Sequence, residues 1–190
     1  MRIALMLPFA ALALAACEAT PPSIGTDDIA DFNASSAAAQ SLPVTAISSL
    51  PTGTVTYFGE FGSNADVEGV GDAIIGQMDM TVQFATQDVG GRLYNINLID
   101  NGAPQQRLSG DLELDGTAVN GVIDATAEGQ LTRVDVGKTD FSDVTLDLNG
   151  SVRNDTFAGD AVAGSVTGAG DGSFDFVLDG NGTFYGYATQ

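Results

Sequence analysis

The side chains of this chain that could take part in chemistry are almost all carboxylates. The 190 residues include 25 Asp and Glu against 6 Lys and Arg, for a formal net charge of −19. Because His is absent, the chain has no imidazole to act as a general base or a metal ligand. A single Cys can form neither an internal disulfide nor a thiolate zinc site. Calcium binding and carboxylate catalysis are the chemistries left to consider.

Calcium is the metal that this composition favours, since it binds through several oxygen ligands. The candidate ligands near the C-terminus are Asp171, Asp175, Asp179 and Asn181. The segment from Asp179 departs from an EF-hand loop, because it lacks the Gly at the sixth position and the closing Glu. We therefore interpret these side chains as solvated turn and strand residues and predict no metal site.

Catalysis has no recognisable machinery in the sequence. No two acids are singled out as a glycosidase pair, and no Gly-x-Ser-x-Gly motif occurs. We predict that the protein is not an enzyme and needs no cofactor. The negative charge opposes contact with a phosphate backbone, so we predict no nucleic-acid partner. A protein partner with a neutral or basic surface suits this charge better.

The N-terminus has the features of an export signal. Arg2 is followed by an apolar run from Ile3 to Leu14 that is too short to span a bilayer, and then by small residues. The stretch from Leu14 to Cys17 reads Leu-Ala-Ala-Cys and resembles the lipobox of bacterial lipoproteins. This resemblance implies a signal peptide at 1–16, cleavage before Cys17 and lipid on Cys17. The membrane is then a partner through that lipid, and the expected location is the bacterial outer membrane.

Residues 17–50 have the composition of a flexible linker behind the acylated N-terminus. Ala, Ser, Thr, Pro and Asp dominate, and large apolar residues are rare. A coil of this length reaches about 30 Å, enough to lift a domain clear of the headgroups. A short helix from Asp27 to Gln40, with Ile29 and Phe32 on one face, is the alternative.

Residues 51–190 alternate apolar and polar residues with period two. Examples are the runs around Met78–Phe84, Tyr94–Leu98 and Val144–Val152. Such alternation places one strand face in a core and the other in water. Turn signals separate the runs, and no helical period occurs beyond Gly53. The pattern predicts an all-β domain, an antiparallel up-and-down β-barrel of about eight strands, with a sandwich as the alternative.

Aromatic side chains are the candidates for binding a protein partner, since such residues serve as interface anchors. We expect them to be exposed early in the domain at Tyr57, Phe58 and Phe61, and near its end at Tyr185 and Tyr187. If Phe184 is a core residue, alternation places Tyr185 and Tyr187 on the outer face. An outward Tyr is also a common cross-strand packing residue, so both roles stay open.

Three segments resemble transferrin-binding-protein-B-like lipoprotein barrels. The first is Leu50 to Gly62, with its Gly-x-x-x-Tyr-x-Gly pattern; the second is the hairpin from Met80 to Leu93; the third is the Gly-x-Phe-Tyr-Gly element from Gly182 to Ala188. In the third, Tyr187 stands where the family usually has Pro. The resemblance implies an eight-stranded barrel on an outer-membrane lipoprotein that binds a protein or a haem- or iron-related partner. It carries over no individual binding residue.

We therefore expect a lipid-anchored, non-enzymatic binding protein, with the domain at the cell surface or on the periplasmic face. Two alternatives stay open. One is a structural envelope lipoprotein, and the other is a periplasm-facing carrier of a small apolar ligand inside the barrel.

Overall fold

Alternating apolar and polar residues fold into the strands of a closed barrel. The computed structural model describes residues 19–67, 71–135, 137–157 and 159–189. One α-helix and a 3₁₀ turn precede the strands: α1 is Thr26–Ser41 and the turn is Ile47–Ser49. The strands are β1 Thr54–Asp66, β2 Ala73–Gln83, β3 Asp88–Asp100, β4 Ala103–Arg107, β5 Leu112–Val119, β6 Val122–Asp135, β7 Lys138–Arg153, β8 Ala161–Gly172, β9 Phe176–Leu178 and β10 Gly182–Ala188.

Eight of these strands form the ring. The pairing order runs β10, β1, β2, β3, β5, β6, β7, β8, and β10 closes it by pairing with both β1 and β8. Every pairing is antiparallel. The short β4 adds to β3, and the short β9 pairs with β1 and β8. The predicted antiparallel barrel of about eight strands is confirmed.

Side chains fill the interior of the barrel. The inward residues of all eight ring strands belong to one continuous apolar cluster, in which each residue is at most 6% exposed. Large rings fit because glycines face them: a Cβ on Gly150 or Gly164 would lie 2.6 Å from the ring of Phe184. A ligand in the interior would have to displace this close-packed core, which argues against the carrier alternative.

The two ends of the barrel differ in what covers them. The end that we call the plugged end carries the starts of β1 and β8 and the β5–β6 hairpin. Residues 43–53 cross this end, and Leu50 packs against the interior cluster. We call the other end, with the β3–β4 and β6–β7 turns, the far end.

The chain before the first strand is folded onto the barrel. Helix α1 packs across β8 and β10, with Phe32 and Ala39 buried in a cluster that includes Tyr185. Arg153 donates hydrogen bonds to the carbonyls of Gln40 in the last turn of the helix and of Leu42 just after it, at 2.7 and 2.8 Å. The prediction of a flexible tether over 17–50 is therefore wrong for α1 and for residues 43–53, which we call the plug, because Phe32 and Ala39 of α1 and Leu50 of the plug pack on the barrel. The alternative of a short helix is confirmed, and it begins at Thr26.

Among the described residues, no helix has both the length and the apolar character needed to cross a bilayer.

Candidate functional site

Two of the aromatic residues predicted to be exposed lie inside the barrel. Tyr57 and Phe61 are both 0% exposed. The Tyr57 hydroxyl donates a hydrogen bond of 2.7 Å to the carbonyl of Gly159. Burial raises the pKa of Tyr57, and the nearby Asp160 carboxylate raises it further. The expectation of surface binding residues is wrong here, because Tyr57 and Phe61 share the inward face of β1.

Tyr185 and Tyr187 lie on the outer face of β10, as the alternation with Phe184 predicts. Tyr185 is nonetheless only 8% exposed, because α1 covers it and the Phe32 ring lies 6.1 Å away between centroids. Its hydroxyl donates a 2.6 Å hydrogen bond to Glu60. Burial, and then this contact with Glu60, raise the pKa of Tyr185. The expectation that Tyr185 is exposed is therefore wrong, and Tyr187 is half-buried beside it.

Phe58 is the predicted aromatic that stays exposed. It is 45% exposed on the outer face of β1, where its Cα is paired with those of Asp79 and Tyr187. Phe58 and the half-buried Tyr187 are thus the aromatic candidates from the sequence that a partner can reach.

The larger exposed apolar surface lies at the plugged end and was not predicted. We call it the rim and define it by five side chains that are 47–65% exposed: Val44, Ile47, Val119, Val122 and Phe157. Exposed apolar patches of this kind mark interaction sites. The sequence indicated part of this surface. Because Ala118 and Ile123 point into the barrel, alternation places Val119 and Val122, which flank the Asn-Gly turn, on the outer face.

Backbone contacts hold the rim in place. Val119 pairs with Val122 across a tight turn in which Asn120 and Gly121 have φ of 54° and 79°. Such left-handed pairs form type I′ turns, whose twist matches the hairpin strands. The neighbouring plug is joined to β7 by the Thr45 amide, which donates a hydrogen bond of 3.0 Å to the Val152 carbonyl.

The loop that carries Phe157 is ordered around a carboxylate. Asp160 accepts hydrogen bonds from the backbone amides of Asp155, Thr156 and Phe157, at 2.7, 2.9 and 2.7 Å. Burial raises the pKa of Asp160, but the backbone donors outweigh it and the pKa is lowered overall. The loop is therefore preorganised while Asp160 is ionised.

Rows of carboxylates continue from the rim along the outer faces of β5, β6 and β7. We call this surface the acidic face and define it by Glu113, Asp115, Asp124, Glu128, Asp143 and Asp147. All six are exposed, and none of residues 113–117, 124–130 and 143–149 is Lys or Arg. Neighbouring polar side chains contact some of the acids: Thr126 donates to Asp147 at 3.3 Å and Gln130 to Asp143 at 2.9 Å. A shallow groove of about 560 Å³ lies between the acids of β5 and β6.

This arrangement of acids suits long-range attraction better than metal coordination. Within the described ranges, no three Asp or Glu residues are placed so that they could hold one ion. Asp171, Asp175, Asp179 and Asn181, the calcium candidates of the sequence, lie at the far end of the barrel and away from the rim. Arg92 of β3 lies opposite Glu113, but the other five acids have no basic residue at their paired positions, and such an acidic surface draws in a basic partner and raises its association rate.

The predicted lipid attachment at Cys17 lies outside the described residues. The described part of the chain begins at Ala19, and residues 20–23 contact β3 and β4. The Arg107 amide donates a hydrogen bond of 3.0 Å to the carbonyl of Thr20, and the Ser23 amide donates one of 2.8 Å to the Asn97 side chain.

Comparison with known proteins adds no family to this picture. No model of a protein family matches the chain, and no curated protein matches its sequence significantly.

Proposed function

We propose that this protein is a lipid-anchored, non-enzymatic binding module of the bacterial outer membrane, and that it recognises a protein through the rim and the acidic face. The observation that carries the proposal is the rim: five of the eight exposed large apolar side chains among the described residues lie at one end of the barrel. The partner that fits has an apolar patch bordered by basic side chains.

The size of the rim is consistent with a binding site. Together the five side chains expose on the order of 400 Å² of apolar surface, within the range of functional patches on monomers. Full burial at about 25 cal/mol per Å² would contribute roughly 10 kcal/mol, against an association cost of at least about 4 kcal/mol. Shape complementarity at the rim then sets the dissociation rate, while the acidic face mainly sets the association rate.

A protein partner is favoured over a haem- or iron-related small molecule. A small apolar ligand needs a concave site that encloses most of its surface. The interior of this barrel is packed, and the chain has no His to ligate haem iron. The rim consists of turns and loops at the end of the barrel, which suits contact with another macromolecule.

Photo-crosslinking in intact cells tests the rim. A photoreactive residue at Val122 should form a discrete crosslink to one protein, and Val119→Ser should reduce the yield because it removes apolar contact beside the crosslinker. A photoreactive residue at Val177, which is 48% exposed on β9, is the matched control. Higher salt should lower the yield at Val122, since the acidic face is then screened. Equal crosslinking from both positions, or none from either, would contradict the binding proposal and favour a structural lipoprotein.

Two further measurements test the anchor and the location. Cys17→Ala should release the protein from the membrane, because the acyl chains supply the attachment; retention of this variant would refute lipid anchoring. Protease added to intact cells should cleave a surface-displayed domain. Full protection would place the domain on the periplasmic face.

A further inference from the structure

The first described residues lie close in sequence to the predicted lipid attachment at Cys17. Thr20 is three residues from Cys17, and a fully extended chain spans at most about 3.6 Å per residue. The Cα atom of Cys17 is therefore within about 11 Å of that of Thr20. Because Thr20 is bonded to β4 and Ser23 to β3, any lipid on Cys17 is attached close to one side of the barrel. A coil of the whole 17–50 segment would have allowed about 30 Å of free reach.

The surface around this attachment is suited to phospholipid headgroups. We call it the anchor flank and define it by Arg92, Tyr94, Asn95, Gln105 and Arg107 on β3 and β4. The Arg92 guanidinium lies 4.4 Å from the centre of the Tyr94 ring, and Arg107 donates a hydrogen bond of 3.4 Å to the Asn95 side chain. Tyrosine and arginine combine an apolar body with a polar tip, which is the chemistry found at membrane interfaces.

Charge also favours this flank over the acidic face. The two arginines of the anchor flank are balanced by Asp79 and Asp111, which lie 3.3 and 3.6 Å from Arg92. The acidic face, by contrast, carries six carboxylates without a basic residue among its strand positions. Anionic lipids attract basic segments and oppose acidic ones. β6 and β7, which carry most of the acidic face, are two and three strands away from β3 around the ring.

We infer that, when Cys17 is acylated, the anchor flank of the barrel rests on the phospholipid headgroups of the membrane and the rim is held away from them. The inference depends on the lipid anchor of the proposed function. Nine residues of β3 separate Asn97, beside the attachment, from Asp88 at the plugged end. At about 3.3 Å per residue and a strand tilt near 40°, the rim is displaced by roughly 23 Å along the barrel axis.

Fluorescence quenching of the acylated full-length protein on vesicles tests this orientation. Acylation consumes the Cys17 thiol, so an introduced cysteine is the only free thiol to label. Gln105→Cys places the label on the anchor flank, and Asn149→Cys places it three strands away on β7; both positions are exposed strand amides. The vesicles are phosphatidylcholine that contains phosphatidylcholine with a nitroxide on its headgroup.

The Gln105→Cys label should lose several-fold more fluorescence than the Asn149→Cys label. A Gly-Ser insertion of about 20 residues between Glu18 and Ala19, with a reach near 25 Å, should remove most of this difference. Equal losses at the two positions without the insertion, or a greater loss at Asn149→Cys, would overturn the inference. Flotation of the same vesicles separates this from failure of the anchor: protein that does not float refutes lipid anchoring, and the orientation with it.

Discussion

Removal of one side chain from α1 tests whether the segment before the first strand is part of the folded domain. Phe32 is 6% exposed, and its ring lies 6.1 Å from that of Tyr185. The ring rests on the backbone of β1, where a Cβ on Gly62 would come within 2.8 Å of it. Phe→Ala in an enclosed core costs about 3–5 kcal/mol. Here one side of the ring borders a groove of about 570 Å³ that water can enter, so we expect Phe32→Ala to cost about 2–3 kcal/mol.

The assay is urea denaturation of the purified, unacylated domain, in which two spectroscopic probes monitor the unfolding. The midpoint should fall while the slope stays constant, since the variant loses stability without changing the surface exposed on unfolding. Asn33→Ala, at the next and exposed position, is the control and should change the stability by less than about 0.5 kcal/mol. If Phe32→Ala has an effect as small as its control, α1 does not stabilise the barrel. A smaller slope would instead mean that the helix has left the native state.

Three further outcomes are expected. Tyr57→Phe should lower the free energy of unfolding by about 1–2 kcal/mol in urea, because it leaves a buried carbonyl without its donor; an unchanged midpoint would contradict this hydrogen bond. Gly59→Ala should cost several kcal/mol or prevent folding, since its Cβ would fall 1.9 Å from the carbonyl oxygen of Tyr185, whereas Gly90→Ala, whose Cβ has 3.8 Å of room, should be tolerated by the same assay. Because the pKa of Asp160 is lowered in the fold, its stabilising effect is present above the unfolded pKa and is lost as pH falls through the folded value. In Asp160→Asn the free energy of unfolding should therefore fall less steeply as the pH is lowered. The same pH dependence in both proteins would refute the stabilising role of the Asp160 carboxylate.

Period-two alternation was sufficient to predict the strands that face the core. Met78, Met80 and Val82 are all 0% exposed, as their spacing in β2 requires. Such strands favour a barrel. When each strand pairs with the next along the chain, the sheet keeps two unpaired edge strands, β1 and β10, and pairing these two with each other removes both edges. Local pattern and global fold agree here, so the sequence was informative.

The aromatic predictions failed for two different reasons, one local and one that depends on a contact distant in sequence. Tyr57, Gly59 and Phe61 are alternate residues of β1 and share its inward face. The adjacent Phe58 lies on the opposite face, so aromatic residues on both faces obscure the alternation in the sequence. Tyr185 points outward, and only the docking of α1 buries it. The helix itself was hard to predict because one Phe and a run of small residues make its buried face, so its apolar pattern is weak.

One stretch of chain runs from the anchor flank to the rim. From Thr20 on the anchor flank it continues through α1, which runs from the far end toward the plugged end, and then contributes Val44 and Ile47 to the rim. A flexible tether would leave the orientation of the rim to diffusion, and every binding event would then include the cost of orienting the barrel. Because α1 and Leu50 of this stretch pack on the barrel, the proposed lipid on Cys17 would fix the direction in which the end of the stretch is presented. Most aromatic residues that the structure describes thus serve in packing, and the apolar surface exposed at the plugged end comes from valines, an isoleucine and Phe157.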